Sequence, residues 1–310
     1  MNFVIFVIAM GVLIWGADLI INQSERIALK FKIPEFIIGA TLIALGTSLP
    51  EMAASIAASM NGKPGIAVAN VIGSNILNIT LVLATVFLIA KKISPNRDFF
   101  EKDSTWALVP ALVFVLMIID GVISRFDATL LLLLMGAYLL FLLQDAKNIP
   151  EEDLENLDKG TFSWIKAIPV LLGAFLLVTV GAHFTVESAS EIAKSFGISE
   201  WAIGIIMISL GTSLPELVVS ISAATKGKAD MAIGNIIGSN MANTTVVLGA
   251  AALASPMAVN ASTYIFDIAT MIVATLLLVF ITANKLYNKS AGISLIIILG
   301  LFLNNTIQSI

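Results

Sequence analysis

Two copies of one hexapeptide hold the residues best suited to chemistry: Gly46-Thr47-Ser48-Leu49-Pro50-Glu51 and Gly211-Thr212-Ser213-Leu214-Pro215-Glu216. Each lies inside a long apolar run. Each places a carboxylate, two hydroxyls and a helix-breaking proline where a membrane helix would otherwise hold only hydrocarbon. A carboxylate at the bilayer centre costs roughly 2.5–3.5 kcal/mol on insertion scales, so ionisable residues at that depth are functional by default. On a helix, Thr47 and Ser48 lie one turn before Glu51, and the three share a face. Pro50 has no N–H, so the carbonyl of Gly46 loses its donor, and Gly46 itself loosens the turn. Pro215 does the same to Gly211. Each copy therefore offers a carboxylate, hydroxyls and freed carbonyls. These are hard oxygen ligands, which suit Ca²⁺ and Na⁺ rather than Zn²⁺ or Cu⁺.

The elements that must position these groups are membrane helices. The 310 residues are 58% hydrophobic and 12% charged, and mean hydropathy is +0.98. A soluble domain is about 25% charged. Spans of about 20 apolar residues are read at 3–22, 35–59, 66–90, 104–121, 127–144, 163–185, 198–224, 230–254, 262–283 and 291–308. The expected fold is an all-α integral membrane protein with ten transmembrane helices. The two spans that hold the hexapeptides are each expected as a pair of half-helices. The first run lacks the basic start of a cleavable signal and is read as a retained helix. The absence of cysteine excludes disulfides, thiolate metal sites and a cysteine nucleophile. A net charge of −4 without a basic stripe gives no reason to expect nucleic acid.

The halves are copies. Glu51 and Glu216 are 165 residues apart, and the same offset carries Gly16 to Gly181, Gly39 to Gly204, Ser74 to Ser239, Asn75 to Asn240 and Asn78 to Asn243. Residues 1–144 form one repeat and 163–310 the other. The polar stretch 145–162 joins them as a solvated linker. Five spans per repeat turn the second copy upside down, giving two inverted-topology repeats whose broken helices meet near the midplane. Fourteen Lys and Arg fall on the side of the odd-numbered loops and three on the other. By the positive-inside rule both termini face outside and the linker is cytoplasmic.

The third and eighth spans add a second set of oxygens. Ser74 and Asn78 lie one turn apart on one face, and Ser239 with Asn243 repeats the pattern. Asn75 and Asn240 divide evenly between ligation and interhelical hydrogen bonding. Gly73 and Gly238 are read as packing residues. Asp18 and His183 are repeat partners; His183 is read as a hydrogen-bonding residue ahead of a proton relay, and Asp120 and Asp267 are solvated span ends.

At these residues the sequence resembles the cation/Ca²⁺ antiporter superfamily, within its sodium/calcium exchanger branch, as a prokaryotic member. The resemblance rests on GTSLPE and GSNxxN, both in duplicate, and spans nearly the whole chain. It implies alternating access, with three Na⁺ moving against one Ca²⁺. It implies Glu51 and Glu216 as Ca²⁺ ligands, and Thr47, Thr212, Ser48, Ser213, Ser74 and Ser239 as Ca²⁺ or Na⁺ ligands. Asn78 and Asn243 match the remaining central positions, and Ala44 and Ser209 match positions that lend backbone carbonyls to Na⁺. Relatives that co-transport K⁺ carry Asp where this chain has Asn243. No cofactor is implied beyond the transported Ca²⁺ and Na⁺, no enzyme activity, and no partner beyond the lipid bilayer. A H⁺/Ca²⁺ antiporter on the same scaffold is the competing reading. A Ca²⁺ channel is weaker, because channels favour rings of symmetric subunits. An intramembrane enzyme is weaker still, with one His and no Cys.

Overall fold

Apolar runs with few breakers give helices, and the computed structural model is built almost wholly of them. It describes residues 2–90, 93, 95, 97–146, 163–196 and 211–308. The linker from 147 onward and the first half of the seventh expected span, Ser209 included, lie outside the described residues. The helices are α1 (Asn2–Phe31), α2 (Glu35–Thr47), α3 (Leu49–Met60), α4 (Pro64–Ile89), α5 (Ser104–Met117), α6 (Arg125–Ala146), α7 (Trp164–Ser195), α8 (Leu214–Thr225), α9 (Ala229–Ala254), α10 (Ile265–Ala283) and α11 (Lys289–Gln308). Among the described residues the only sheet is a two-residue antiparallel pairing of Val122–Ile123 with Met257–Ala258.

The span expected at 35–59 is indeed two helices. α2 and α3 meet at Ser48 with a bend of 45°. Pro50 sits in the first turn of α3 and Pro215 in the first turn of α8. A missing N–H does no harm there, since the first N–H groups of a helix have no intrahelical partner. α1 and α7 run to 30 and 32 residues, well beyond the 3–22 and 163–185 that hydropathy marks. Their polar ends continue the helix past the apolar stretch, to about 45 Å or more at 1.5 Å per residue.

α4 and α9 form the centre: 72% and 83% of their apolar windows are buried, against 28–33% for α1, α6, α7 and α11. Equivalent helices cross antiparallel. In the α1–α7 crossing, Gly16 lies against Val178 and Gly181 against Leu13, and a Cβ on either glycine would approach its neighbour to 2.9 or 2.8 Å. Leu13 and Val178 are themselves related by the 165-residue offset, as are the two glycines, so the crossing has an internal two-fold. α4 and α9 show the same sense, with Asn78 bonded to Asn240 and Asn75 to Thr244. Gly238 packs as expected, since a Cβ there would meet the Ala40 carbonyl at 2.4 Å, whereas Gly73 does not: nothing lies within 4 Å of where its Cβ would stand.

The loops gather at two ends. At one end Lys228 bridges Glu25 and, at 2.8 Å, Glu35. Partial burial pulls the Lys228 ammonium down, and those two carboxylates more than offset it, holding it above its ordinary value. Lys226 reaches Asp18 at 3.0 Å, and Lys285 reaches Asp98 at 3.3 Å. Arg97 binds Asp103 and Asp145, with Lys102 also on Asp145 at 2.8 Å. Its guanidinium stacks on Phe36 at 4.4 Å. At the other end Ser59 bonds to Ser255, Tyr264 to Gly65 and Arg125 to Leu253.

Arg97 is the demanding member of this set because Asp103 is 0% exposed. Removing one partner of a buried pair leaves an uncompensated charge, which costs about 3–5 kcal/mol. Arg97→Ala should therefore lower the unfolding midpoint in detergent sharply. Lys285→Ala, which breaks a solvent-exposed pair, should leave that midpoint unchanged.

Candidate functional site

The break at Ser48 and its counterpart before Leu214 bring the two hexapeptides together at the centre. Glu51 is 1% exposed and Glu216 0%, and each lies within electrostatic reach of the other. The hydroxyls cross over between the copies. Ser48 Oγ donates to Glu216 Oε1 at 3.1 Å, Thr47 sits beside Glu216, and Thr212 sits beside Glu51. Gly46 has a packing reason that its sequence context did not reveal. The ring of Phe175 on α7 lies where a Cβ would meet it at 2.2 Å, so α7 closes directly over the helix break.

Two asparagines that sequence reasoning passed over frame this centre. Asn70 donates to Ser55 Oγ at 2.9 Å and to the Glu51 carbonyl at 3.3 Å. Asn235, its partner at the 165-residue offset, donates to Ser220 Oγ at 3.0 Å. Each accepts from the opposite copy's threonine at 3.4 Å, Thr212 onto Asn70 and Thr47 onto Asn235. The offset itself was the signal that could have found them.

The second set of oxygens is delivered by irregular helix. π-Helical turns run Asn78–Leu83 in α4 and Asn243–Val247 in α9, starting at equivalent residues. A third, Gly39–Ile43, lies in α2. Such bulges interrupt the regular ladder and recur at functional sites. Asn75 and Asn240 are tied between helices: Asn75 Nδ2 donates to Thr244 at 2.6 Å, and Asn240 accepts from Asn78 at 3.0 Å and donates to the Asn75 carbonyl at 3.3 Å. Ala44 lies at the break, but its carbonyl already accepts Ser48 N–H at 3.0 Å and lies 3.2 Å from Thr47 Oγ1. His183 stands apart, with an exposed side chain 3.9 Å from Glu187. Asp18 bonds Ser222 and Lys226 at the ion-paired end.

What remains unbonded decides what this arrangement can do. Twelve buried side-chain N or O atoms have no hydrogen-bond partner among the described residues, and nine belong to the duplicated motifs. They are both oxygens of Glu51, Oε2 of Glu216, the hydroxyls of Ser213 and Ser239, the amide oxygens of Asn75, Asn78 and Asn243, and Asn243 Nδ2. A buried polar group without a partner costs about 1–3 kcal/mol, more if charged. Eight of these atoms are oxygens, three of them from carboxylates, and they offer the charge and lone pairs that a cation needs, while the two hydroxyls and Asn243 Nδ2 can also donate.

Comparison with known proteins identifies the family. The family model described as "Sodium/calcium exchanger protein" matches residues 1–144 and 166–307. The chain belongs to the sodium/calcium exchanger family. It is 31% identical over 344 aligned positions to the sodium/calcium exchanger MaX1 of Methanosarcina acetivorans, covering 97% of each chain. It is 30% identical over 300 residues to the inner membrane protein YrbG of Escherichia coli, covering 94% of this chain and 92% of the relative. The fold superposes on the sodium-calcium exchanger NCX_Mj, solved after soaking with Na⁺ and Ca²⁺. The TM-score is 0.81 at 31% identity, covering 98% of this chain and 97% of that one. Like these relatives, the exchanger described here is a multi-pass membrane protein of a transporter family.

The framing asparagines give this site a test of its own. Asn70→Ala and Asn235→Ala should each destabilise the exchanger by about 1–3 kcal/mol, the cost of leaving buried partners unsatisfied. Because the two residues hold equivalent positions, the losses should be similar. Apparent unfolding midpoints of the two variants in one detergent check both points.

Proposed function

We propose that the protein is a secondary antiporter that exchanges Na⁺ for Ca²⁺ at this central site by alternating access. The cluster of unpartnered oxygens around Glu51 and Glu216 carries the reading. With both carboxylates ionised the central charge is −2, which one Ca²⁺ or two Na⁺ can match. The ions therefore compete for the same ligands. Thr47, Thr212, Ser48, Ser213, Ser74, Ser239, Asn78 and Asn243 supply neutral oxygens that replace water around the ion. Ala44 adds its carbonyl when the Thr47 hydroxyl turns to a cation, and Ser209 is its counterpart in the second repeat. A third Na⁺ makes the cycle electrogenic.

Alternating access follows from an architecture of ten helices in two inverted repeats, 1–144 and 163–310, joined by the cytoplasmic linker 145–162. The antiparallel crossings of α1 with α7 and of α4 with α9 support the inversion. The gathering of alternate loops at opposite ends supports the ten crossings. The end holding Lys226, Lys228 and Arg97 then faces the cytoplasm, and both termini face outside.

Transport is further proposed to need no K⁺. Asn243 brings an amide where a carboxylate would be needed to balance an additional cation. K⁺ beside Ca²⁺ would place three positive charges against two negative ones at low dielectric. Three Na⁺ escape this objection when spread over separate sites rich in hydroxyl and carbonyl dipoles.

Proteoliposomes test the proposal. Vesicles loaded with Na⁺ should take up Ca²⁺, respond to an imposed membrane potential, and keep their rate when choline replaces K⁺ on both sides. Glu51→Gln and Glu216→Gln should each abolish uptake while eluting as folded protein, since one carboxylate under-compensates Ca²⁺. Uptake that ignores Na⁺ and follows a pH gradient would instead identify a H⁺/Ca²⁺ antiporter.

A further inference from the structure

A cavity of about 130 Å³ opens between α4, α10 and α11, and its inner wall is the site itself. Asn70, Gly73 and Ser74 line one side, and Asp267, Phe302 and Thr306 the other. At about 30 Å³ per water it has room for a cation with part of its hydration shell. Asp267 stands in the first turn of α10. It is half-buried, and among the described residues it forms no hydrogen bond and no ion pair. Sequence position alone made it a solvated span end, but it faces this cavity. Ser74 is 3% exposed, and its hydroxyl has no hydrogen bond among the described residues. Asn70 connects the wall to Glu51 through its bond to the Glu51 carbonyl. An unpaired carboxylate thus stands at one end of a pocket whose other end holds Asn70 and Ser74, with apolar residues such as Ile72 and Phe302 between. Intramembrane acids that face water-filled cavities mark ion pathways.

We propose that Asp267, Asn70 and Ser74 form a staging site for a partly hydrated Na⁺ or Ca²⁺ entering from the face that carries the 61–63 loop. This rests on the exchange reading above. One carboxylate and neutral oxygens hold a cation loosely enough to release it inward to the second, more charged set of ligands at Glu51 and Glu216. The single charge in a low-dielectric cleft concentrates cations and speeds their capture. Thr306 and the α11 end form the rim across from Asp267.

The test is the Ca²⁺ dependence of Na⁺-driven uptake measured from each face, in right-side-out and inside-out vesicles. Asp267→Asn should raise the apparent KM on the Lys63 face about tenfold, the low end of what focused charge does to association. The KM on the opposite face should not change, and the maximal rate should be retained. Raising ionic strength with choline chloride should shrink the difference, because screening weakens the field. Asp267→Glu, which keeps the charge, should restore the wild-type KM. An unchanged KM on the Lys63 face, an equal rise on both faces, or a loss of maximal rate that Asp267→Glu shares would overturn the staging site. If wild-type vesicles show no Na⁺-driven uptake, the exchange reading falls and this falls with it. Normal wild-type uptake with an unaltered Asp267→Asn KM removes the staging site alone.

Discussion

Two carboxylates held out of water, with too few donors to satisfy them, are the constraint on which this structure depends. Among the described residues neither oxygen of Glu51 nor Oε2 of Glu216 has a hydrogen-bond partner, and Glu216 Oε1 accepts from Ser48. In the interior of a membrane protein such a pair is stable when a cation or a proton neutralises it, because low dielectric magnifies the cost of uncompensated charge. On the exchange reading, the feature that destabilises the site without a cation gives its affinity for one. A site filled with donors would be more stable and would bind nothing.

The rest of the fold can be read as the means of keeping those oxygens bare and aimed. Proline in the first turn of α3 and of α8, one residue before the carboxylate, fixes where each of these helices begins. The π-turns in α4 and α9 start at Asn78 and Asn243, interrupting the ladder at equivalent places. Asn70 and Asn235 hold the threonines of the opposite copy and anchor to Ser55 and Ser220 behind them. Each copy's hydroxyls face the other's glutamate, so neither repeat makes a site alone. On the exchange reading, duplication serves the chemistry, since one carboxylate from each repeat together match the charge of a divalent ion. Phe175, seated on Gly46, places the long helix α7 against the break.

Much of this was legible in the sequence because composition and repetition are strong signals at bilayer depth. A glutamate in hydrocarbon, repeated at a fixed offset with the same neighbours, identifies itself. Helix breaks follow from proline, and the role of Gly238 follows from the need for close approach. The less legible parts depend on what faces what. Asn70 lies four residues before Ser74, yet its function is to hold Ser55 and Thr212, which only folding brings near. π-Turns have no composition of their own. The saturation of the Ala44 carbonyl by Ser48 N–H and Thr47 is a property of the bend, not of alanine. The true lengths of α1 and α7 were hidden because hydropathy ends where the helices leave the apolar zone. Asp267 reads as an ordinary span end until α4 and α11 are seen to close a cavity around it.

The central claim is that the carboxylates and their neutral neighbours form one site for which Ca²⁺ and Na⁺ compete. Equilibrium Ca²⁺ binding to the purified protein in detergent, measured calorimetrically over a series of Na⁺ concentrations at constant ionic strength, addresses it most directly. The account predicts that the apparent Ca²⁺ dissociation constant rises with Na⁺ more steeply than first order, because more than one Na⁺ must enter to balance the charge that a single Ca²⁺ leaves. Ca²⁺ binding that is indifferent to Na⁺ would contradict it, since the two ions would then occupy separate sites.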